Sequence, residues 1–172
     1  APLRRNATHI LDTSYLKSAT LKESLHSLYG SEDKRSNLLI NVLSFGFKYG
    51  IPLDSDLVFD VRFLPNPFYL PELKTHNPFY VEELKEKTGL DKEVRDYVMA
   101  SEDSKKFLDR LLAFIDCAVP MYAKEGKSQL VISIGCTGGH HRSVTIAEAL
   151  SHELEKRGNN VITAHRDIAK NI

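Results

Sequence analysis

Two stretches of this chain, Leu38 to Phe45 and Leu57 to Arg62, are near-continuously apolar rather than apolar at every second position, and Gln129 to Ile134 reads as a third strand. A strand that alternates hides one face and wets the other, whereas a strand apolar throughout belongs in a sheet covered on both faces. Helical patterns separate these runs. Asp91 is placed to cap a helix through Met99, and Ser104 to Val119 sets Phe107, Leu108, Leu111, Leu112 and Ile115 on one face, with Pro120 near its end. Ser143 to Arg157 carries Ile146, Leu150 and Leu154 as an apolar stripe, Gly158-Asn159 closes it, and Val161 to Thr163 reads as a last strand. Strands alternating with helices predict an α/β fold, a mostly parallel sheet flanked by helices in a single domain with a short N-terminal lead-in.

The boundary of that domain is expected near residue 37. Residues 1–36 read as an interdomain linker and a lead-in helix. Thr20 with Glu23 forms a capping-box pattern, Leu21, Leu25 and Leu28 follow at helical spacing, and Gly30 closes the segment. Residues 37–172 then form the ligand-binding unit. The chain opens at Ala1 inside what reads as running sequence, so a fragment of a longer protein is expected. One segment, Asn66 to Lys74, recurs as Asn77 to Lys85, eleven residues on. Two copies are too few for a solenoid, and a duplication within a surface loop is the reading preferred.

Charge narrows the function classes. The 172 residues carry 23 Lys plus Arg against 23 Asp plus Glu, which removes any global attraction to nucleic acid or an anionic membrane and leaves only local patches. No apolar run approaches a membrane span, and no secretory leader is expected. Two cysteines make no disulfide framework, so a reducing, cytoplasmic setting is expected. Cys117, within the apolar stretch Leu111 to Val119, reads as core, and His9, His26, His76 and His152 read as surface residues.

The chemistry gathers in Ile134-Gly135-Cys136-Thr137-Gly138-Gly139-His140-His141-Arg142-Ser143. A strand, a glycine loop and a helix start present free backbone N–H groups and the positive end of the helix dipole to an anion. Gly138 and Gly139 permit close backbone approach, and Arg142 has the planar fork that fits a phosphate. Thr137 and Ser143 add hydroxyls, and His140 and His141 add donors that switch with pH. No metal site is expected. Cys136 and Arg142 also resemble the signature of cysteine-dependent phosphatases, with Cys136 as nucleophile and Asp54, Asp56 or Asp60 as general acid. That family places His before the Cys, where Gly135 stands here, so phosphatase chemistry is kept only as the alternative to a ligand-binding loop. Two other likenesses fail on spacing. Glu125 to Ser128 ends like a nucleotide-binding loop but has Met121 where the first glycine belongs, and His165-Arg166-Asp167 echoes a kinase catalytic loop without its companions. His165 and Arg166 nonetheless follow a strand and are candidates to join the site.

Several long motifs, in order, resemble the C-terminal domain of the RapZ/YvcJ family. They are Ser44 to Pro52, Val58 to Pro67, Thr88 to Asp91, Gly135 to Ser143 and His165-Arg166, and Asp12-Thr13-Ser14 is similar to that family's interdomain junction. The resemblance implies an intact protein with a separate N-terminal domain that binds and hydrolyses ATP or GTP, with no cofactor belonging to this chain. It implies that the C-terminal domain binds a phosphorylated small molecule, an amino-sugar phosphate in one branch. In that branch it also implies contact with small regulatory RNA and a ribonuclease. By position the anion site carries over to Thr137, Gly138, Gly139, His141 and Arg142, with Lys48, Arg62 and Asn66 as further ligand or RNA contacts. Lys48, Arg62, His140, His141, Arg142, His165 and Arg166 are expected to form one basic face, and a homo-oligomer is expected. Two differences from the family stand out. The Lys and Arg cluster that follows the His-Arg pair in the adapter branch is replaced by Asp167 to Ile172, and the second Asn-Pro-Phe-Tyr copy is expected to be an insertion.

Overall fold

The structure, a computed structural model, describes residues 38–67 and 87–170, together with positions 7, 10, 11, 13, 18, 20, 21, 24 and 25. The chain divides into two units, Ala1–Lys34 and Arg35–Ile172. In the first unit Ser18, Thr20, Leu21, Ser24 and Leu25 are helical, and the Ser24 hydroxyl donates to the Thr20 carbonyl at 2.9 Å. Thr20 therefore lies inside the helix and not at its cap, where the sequence had placed it. Glu23, most of the repeated segment, and His9, His26 and His76 lie outside the described residues.

Among the described residues the second unit is built on four parallel strands, β1 (Leu39–Gly46), β2 (Leu57–Asp60), β3 (Gln129–Cys136) and β4 (Asn160–His165), in the order β2-β3-β1-β4. β1 pairs β3 from Leu39 opposite Gln129 to Gly46 opposite Cys136, so the two central strands end together and their following loops emerge side by side. β4 continues on the other side of β1 as far as Ser44 opposite His165, and Asp60 of β2 lies opposite Gly135. The α/β class and the parallel sheet are as the apolar runs dictated.

Three helices, α1 (Lys92–Ala100), α2 (Glu102–Lys124) and α3 (Arg142–Lys156), contribute to a single core. Ile40, Val42, Leu130, Ile132, Ile134 and Cys136 from the sheet meet Val98 of α1, Leu108, Leu111, Leu112 and Ile115 of α2, and Ile146, Leu150 and Leu154 of α3. The central strands are buried as expected, but the edge strands are not covered throughout. β2 alternates half-buried Leu57 and Phe59 with exposed Val58 and Asp60, and β4 leaves Ile162 exposed. An edge strand can carry an apolar run without being enclosed, because single exposed aliphatic side chains are tolerated.

Two further expectations are corrected. α2 runs through Pro120 to Lys124 instead of ending near it. Pro120 and Asp116, whose carbonyl loses its helical partner, both face solvent, so water can satisfy the freed carbonyl. Cys117 is exposed, on the outer side of the same helix, while the inward positions are Leu111, Leu112, Ile115 and Val119. A short apolar window could not show which of its residues turned outward.

Helix starts differ in a way that matters later. α2 is capped by Ser101, whose hydroxyl accepts from the Asp103 amide at 3.2 Å, and carries Glu102 and Asp103 in its first turn. Asp91 precedes α1, but its carboxylate turns back to accept from the Thr88 amide at 2.7 Å and the Thr88 hydroxyl at 3.1 Å, and the Thr88 amide in turn holds its pKa below the usual range. α3 has neither a side-chain cap nor an acidic residue in its first turn.

Candidate functional site

Loops from three strands meet at the C-terminal edge of the sheet. The turn after β1 (Phe47–Tyr49), the loop after β3 (137–141) and the segment after β4 (166–170) are tied to one another by short bonds. The Lys48 amide donates to the Thr137 carbonyl at 3.1 Å, and the Arg166 amide to the Ser44 carbonyl at 3.0 Å. The approach of the first two loops is backbone to backbone. A Cβ on Gly46 would stand 2.6 Å from the Gly138 carbonyl carbon, and one on Gly139 would stand 2.7 Å from the Gly46 nitrogen. Gly139 also has φ of 82°, where side chains are strained. These glycines are needed for the loops to touch.

Cys136 is 3% exposed. Its sulfur lies 3.1 Å from the Ser143 hydroxyl and accepts the Gly139 amide at 3.3 Å. The thiol therefore holds the loop's shape from beneath. Arg142 is also buried, and its guanidinium donates to the carbonyls of Arg62 at 2.5 Å and Leu64 at 3.2 Å and to the Thr137 hydroxyl at 3.4 Å. Its fork grips the chain leaving β2, a use the spacing alone did not suggest. Asp60 accepts both Nε and Nη2 of Arg62, which hold its carboxyl below the usual range. A general acid needs the opposite shift, toward the protonated form. Asp56 accepts from Lys127 and from the Val131 amide; burial opposes them, but they keep it low. Asp54 is exposed. A buried sulfur in use as an acceptor and a carboxylate locked to Arg62 give the phosphatase alternative no support.

The two histidines of the loop part company. The His141 Nε2–H donates to the Lys87 carbonyl at 2.8 Å, and the Gly89 amide donates to the His140 carbonyl at 2.8 Å, so residues 87–91 brace the start of α3. A Cβ on Gly89 would come within 2.6 Å of the Thr145 nitrogen, which explains the glycine in Thr88-Gly-Leu-Asp91. His140 is 6% exposed, and its pKa is lowered, chiefly by burial. Thr137 is exposed and Gly138 partly so, which makes them the outward part of the loop.

His165 and Arg166 do reach this edge. The His165 Nε2–H donates to Glu148 at 3.1 Å, and the Ser44 hydroxyl to His165 Nδ1 at 2.8 Å, which anchors the end of β4 to β1 and α3. Arg166 donates to the Gly50 carbonyl at 2.7 Å and forks onto Asp167. Asp167 went unremarked as a site residue in the sequence, yet its fully buried carboxylate accepts from the Gly46 amide at 2.8 Å, from Arg166 at 2.7 Å and from Lys170 at 2.6 Å. Burial pushes its pKa up, but those three donors hold it at about 2. Lys170 and Lys48 also stand over the Tyr49 ring, 4.3 Å and 5.5 Å from its centre. An acidic residue directly after a basic pair at a strand end was the signal available for this cluster.

The single basic face expected from the sequence is thus broken up. Lys48 is exposed, whereas Arg62 pairs with Asp60, Arg166 with Asp167, and His140, His141 and Arg142 are buried. Asn66 is partly buried beyond β2. The segment Glu125–Ser128 enters β3 at the opposite edge of the sheet, where Lys127 pairs with Asp56. Among the described residues no group of three His, Cys, Asp or Glu is arranged to hold a metal, and no helix is long and apolar enough to cross a membrane.

Fold and site define a parallel α/β domain whose polar loops gather at the C-terminal edge of its sheet, braced on one helix start. Residues 38–77 and 75–169 match the family model described as the RapZ C-terminal domain, and the chain belongs to that family. The two matches overlap at residues 75–77, where the Asn-Pro-Phe-Tyr segment begins again at Asn77. The chain is 54% identical over 165 residues to a nucleotide-binding protein of Alkaliphilus oremlandii, covering 96% of this chain and 53% of that protein. It is 51% identical to one of Clostridium botulinum and 52% identical to one of Caldicellulosiruptor saccharolyticus, covering 99% of this chain and 54% of each relative. The chain spans about half the length of these relatives.

Proposed function

We propose that this domain binds a phosphorylated small molecule at the loop between β3 and α3, as a regulatory module and not as a catalyst. The observation that carries the reading is the start of α3, which has no side-chain cap and no acid in its first turn, unlike α2 with Ser101, Glu102 and Asp103. A helix start with no acid and no side-chain cap keeps the positive end of its dipole uncompensated, which favours an anion. Lys48 and Thr137 are the exposed residues beside it, and the buried Arg142 bonds the Thr137 hydroxyl and adds positive charge from below. The ligand class taken from the family resemblance is an amino-sugar phosphate. Nucleotide binding, if the whole protein shares the relatives' description, belongs to a part of the protein outside this chain.

The test is thermal stabilisation by inorganic phosphate, sugar phosphates and nucleotides, in wild type and in Lys48→Ala. A ligand at a hundredfold excess over its dissociation constant stabilises by about 2.7 kcal/mol. Selective stabilisation by a phosphate ester, weakened in Lys48→Ala, is expected. No shift with any phosphate sinks the reading. Arg142→Ala is the poorer probe, because Arg142 also holds the Arg62 and Leu64 carbonyls.

A further inference from the structure

Among the described residues, three buried side-chain atoms lack a hydrogen-bond partner: Asn41 Nδ2, Ser104 Oγ and His140 Nε2. Asn41 is in the middle of β1 and Ser104 in the first turn of α2, away from the loops just described. His140 is in the loop that leads into α3. The Ile168 backbone stands by the ring in the sense that favours its protonated form, and with Nε2 unpartnered it is Nδ1 that this acceptor faces. A neutral imidazole with its proton on Nδ1 presents a bare lone pair at Nε2. The neighbouring ring atom Cδ2 lies 3.3 Å from the place a Gly138 Cβ would take, so this edge of the ring faces the partly exposed Gly138. Nε2 itself is closed to solvent, so an anion on the loop meets it only when Gly138 shifts.

We propose that His140 is a specificity-determining contact of the anion site: Nε2 meets a ligand oxygen across one shared proton, so the site favours a phosphate that brings the proton over an anion, such as sulfate, that carries none. This rests on the phosphate-binding reading above. The groups facing the ring are Lys48 from the turn after β1, Asp167 after β4 with its partners Arg166 and Lys170, and His141, whose ring centre is 6.2 Å away. Burial and Lys48 favour the neutral ring, and Asp167 opposes them. A lone pair set against a ligand oxygen repels unless a proton lies between them. Phosphate and its monoesters, which ionise a second time near neutral pH, can supply that proton. Sulfate cannot, so the ring must take it from solvent, and sulfate affinity then falls as pH rises.

The experiment is calorimetric titration of the chain with inorganic phosphate and with sulfate between about pH 6 and about pH 8. Sulfate affinity is expected to fall about tenfold per pH unit above the pKa of the ring, one proton being taken up per anion. Phosphate affinity falls less over the same interval, so the preference for phosphate widens. In His140→Gln, whose carboxamide offers a permanent donor, that widening is lost. The imidazole titration of His140, followed by NMR with and without sulfate, checks the same step without a substitution, and its pKa should rise when sulfate binds. Sulfate binding without pH dependence, or a dependence that persists in His140→Gln, overturns the proposal and leaves the phosphate site standing. Binding of neither anion to wild type removes the phosphate-binding reading itself, and this proposal with it.

Discussion

At the scale of single residues, the most consequential side chain here is Asp167. A buried carboxylate is costly unless its lone pairs are filled, and here the Gly46 amide, Arg166 and Lys170 fill them. Its pKa of about 2 lies below the ordinary value of 3.8, and the sign of the resulting pH dependence follows. A carboxyl depressed in the folded chain contributes stability that is fully present above the unfolded pKa and is lost as pH falls through the folded value. The contribution is on the order of 2 kcal/mol, taking about 1.4 kcal/mol per pKa unit. Asp167→Asn should therefore lower the unfolding free energy by roughly that amount near pH 7, measured by urea denaturation. The gap between variant and wild type should narrow between about pH 4 and pH 2. A gap that stays constant through that window means the carboxylate's charge is not what stabilises the fold.

At the scale of elements, the loop between β3 and α3 has its shape fixed by contact with the turn after β1. Gly139→Ala tests this, because the substitution meets both a φ of 82° and a Cβ position 2.7 Å from the Gly46 nitrogen. The Gly46 nitrogen is backbone and cannot swing aside, so the expected cost is about 1–3 kcal/mol of stability, together with loss of any anion-induced thermal shift. Gly126, with a similar φ of 87° and open space around it, is the control and should suffer only the backbone strain. This loop was legible in the sequence because glycines between an apolar run and a helical stripe have few other uses. What each side chain does there was not. The fork of Arg142 fits carbonyls as well as phosphate, and only the fold shows that Arg62 and Leu64 are within reach. The outward turn of Cys117 and the passage of α2 through Pro120 were hidden for a related reason. Both depend on which helix face meets solvent, and a short window of mixed residues does not specify that.

At the scale of the whole domain, contacts distant in sequence make the C-terminal edge of the sheet one mechanical unit. Gly46 is bonded to Asp167 across 121 residues, Lys48 to the Thr137 carbonyl, Gly89 to the His140 carbonyl, and Arg166 to the Ser44 and Gly50 carbonyls. The described contacts thus link the turn after β1, the loop after β3, the segment after β4 and the brace before α1. Regions joined this way open together or not at all, and their amide protons should exchange with a shared free energy. Asp167→Asn is expected to speed exchange at Gly46, Lys48, Gly89 and Gly139 by similar factors, although all four are remote from the substitution in sequence. Ile132 and Ile134, in the middle of a central strand, should lose protection only as far as the fall in global stability requires. Exchange measured by mass spectrometry or NMR distinguishes this from a local effect: acceleration confined to Gly46 would show that the three loops move independently. Joint acceleration would mean that an anion seated at the start of α3 is felt at β4 and at residues 87–91, as a regulatory module requires, because binding and loop order would then share one equilibrium.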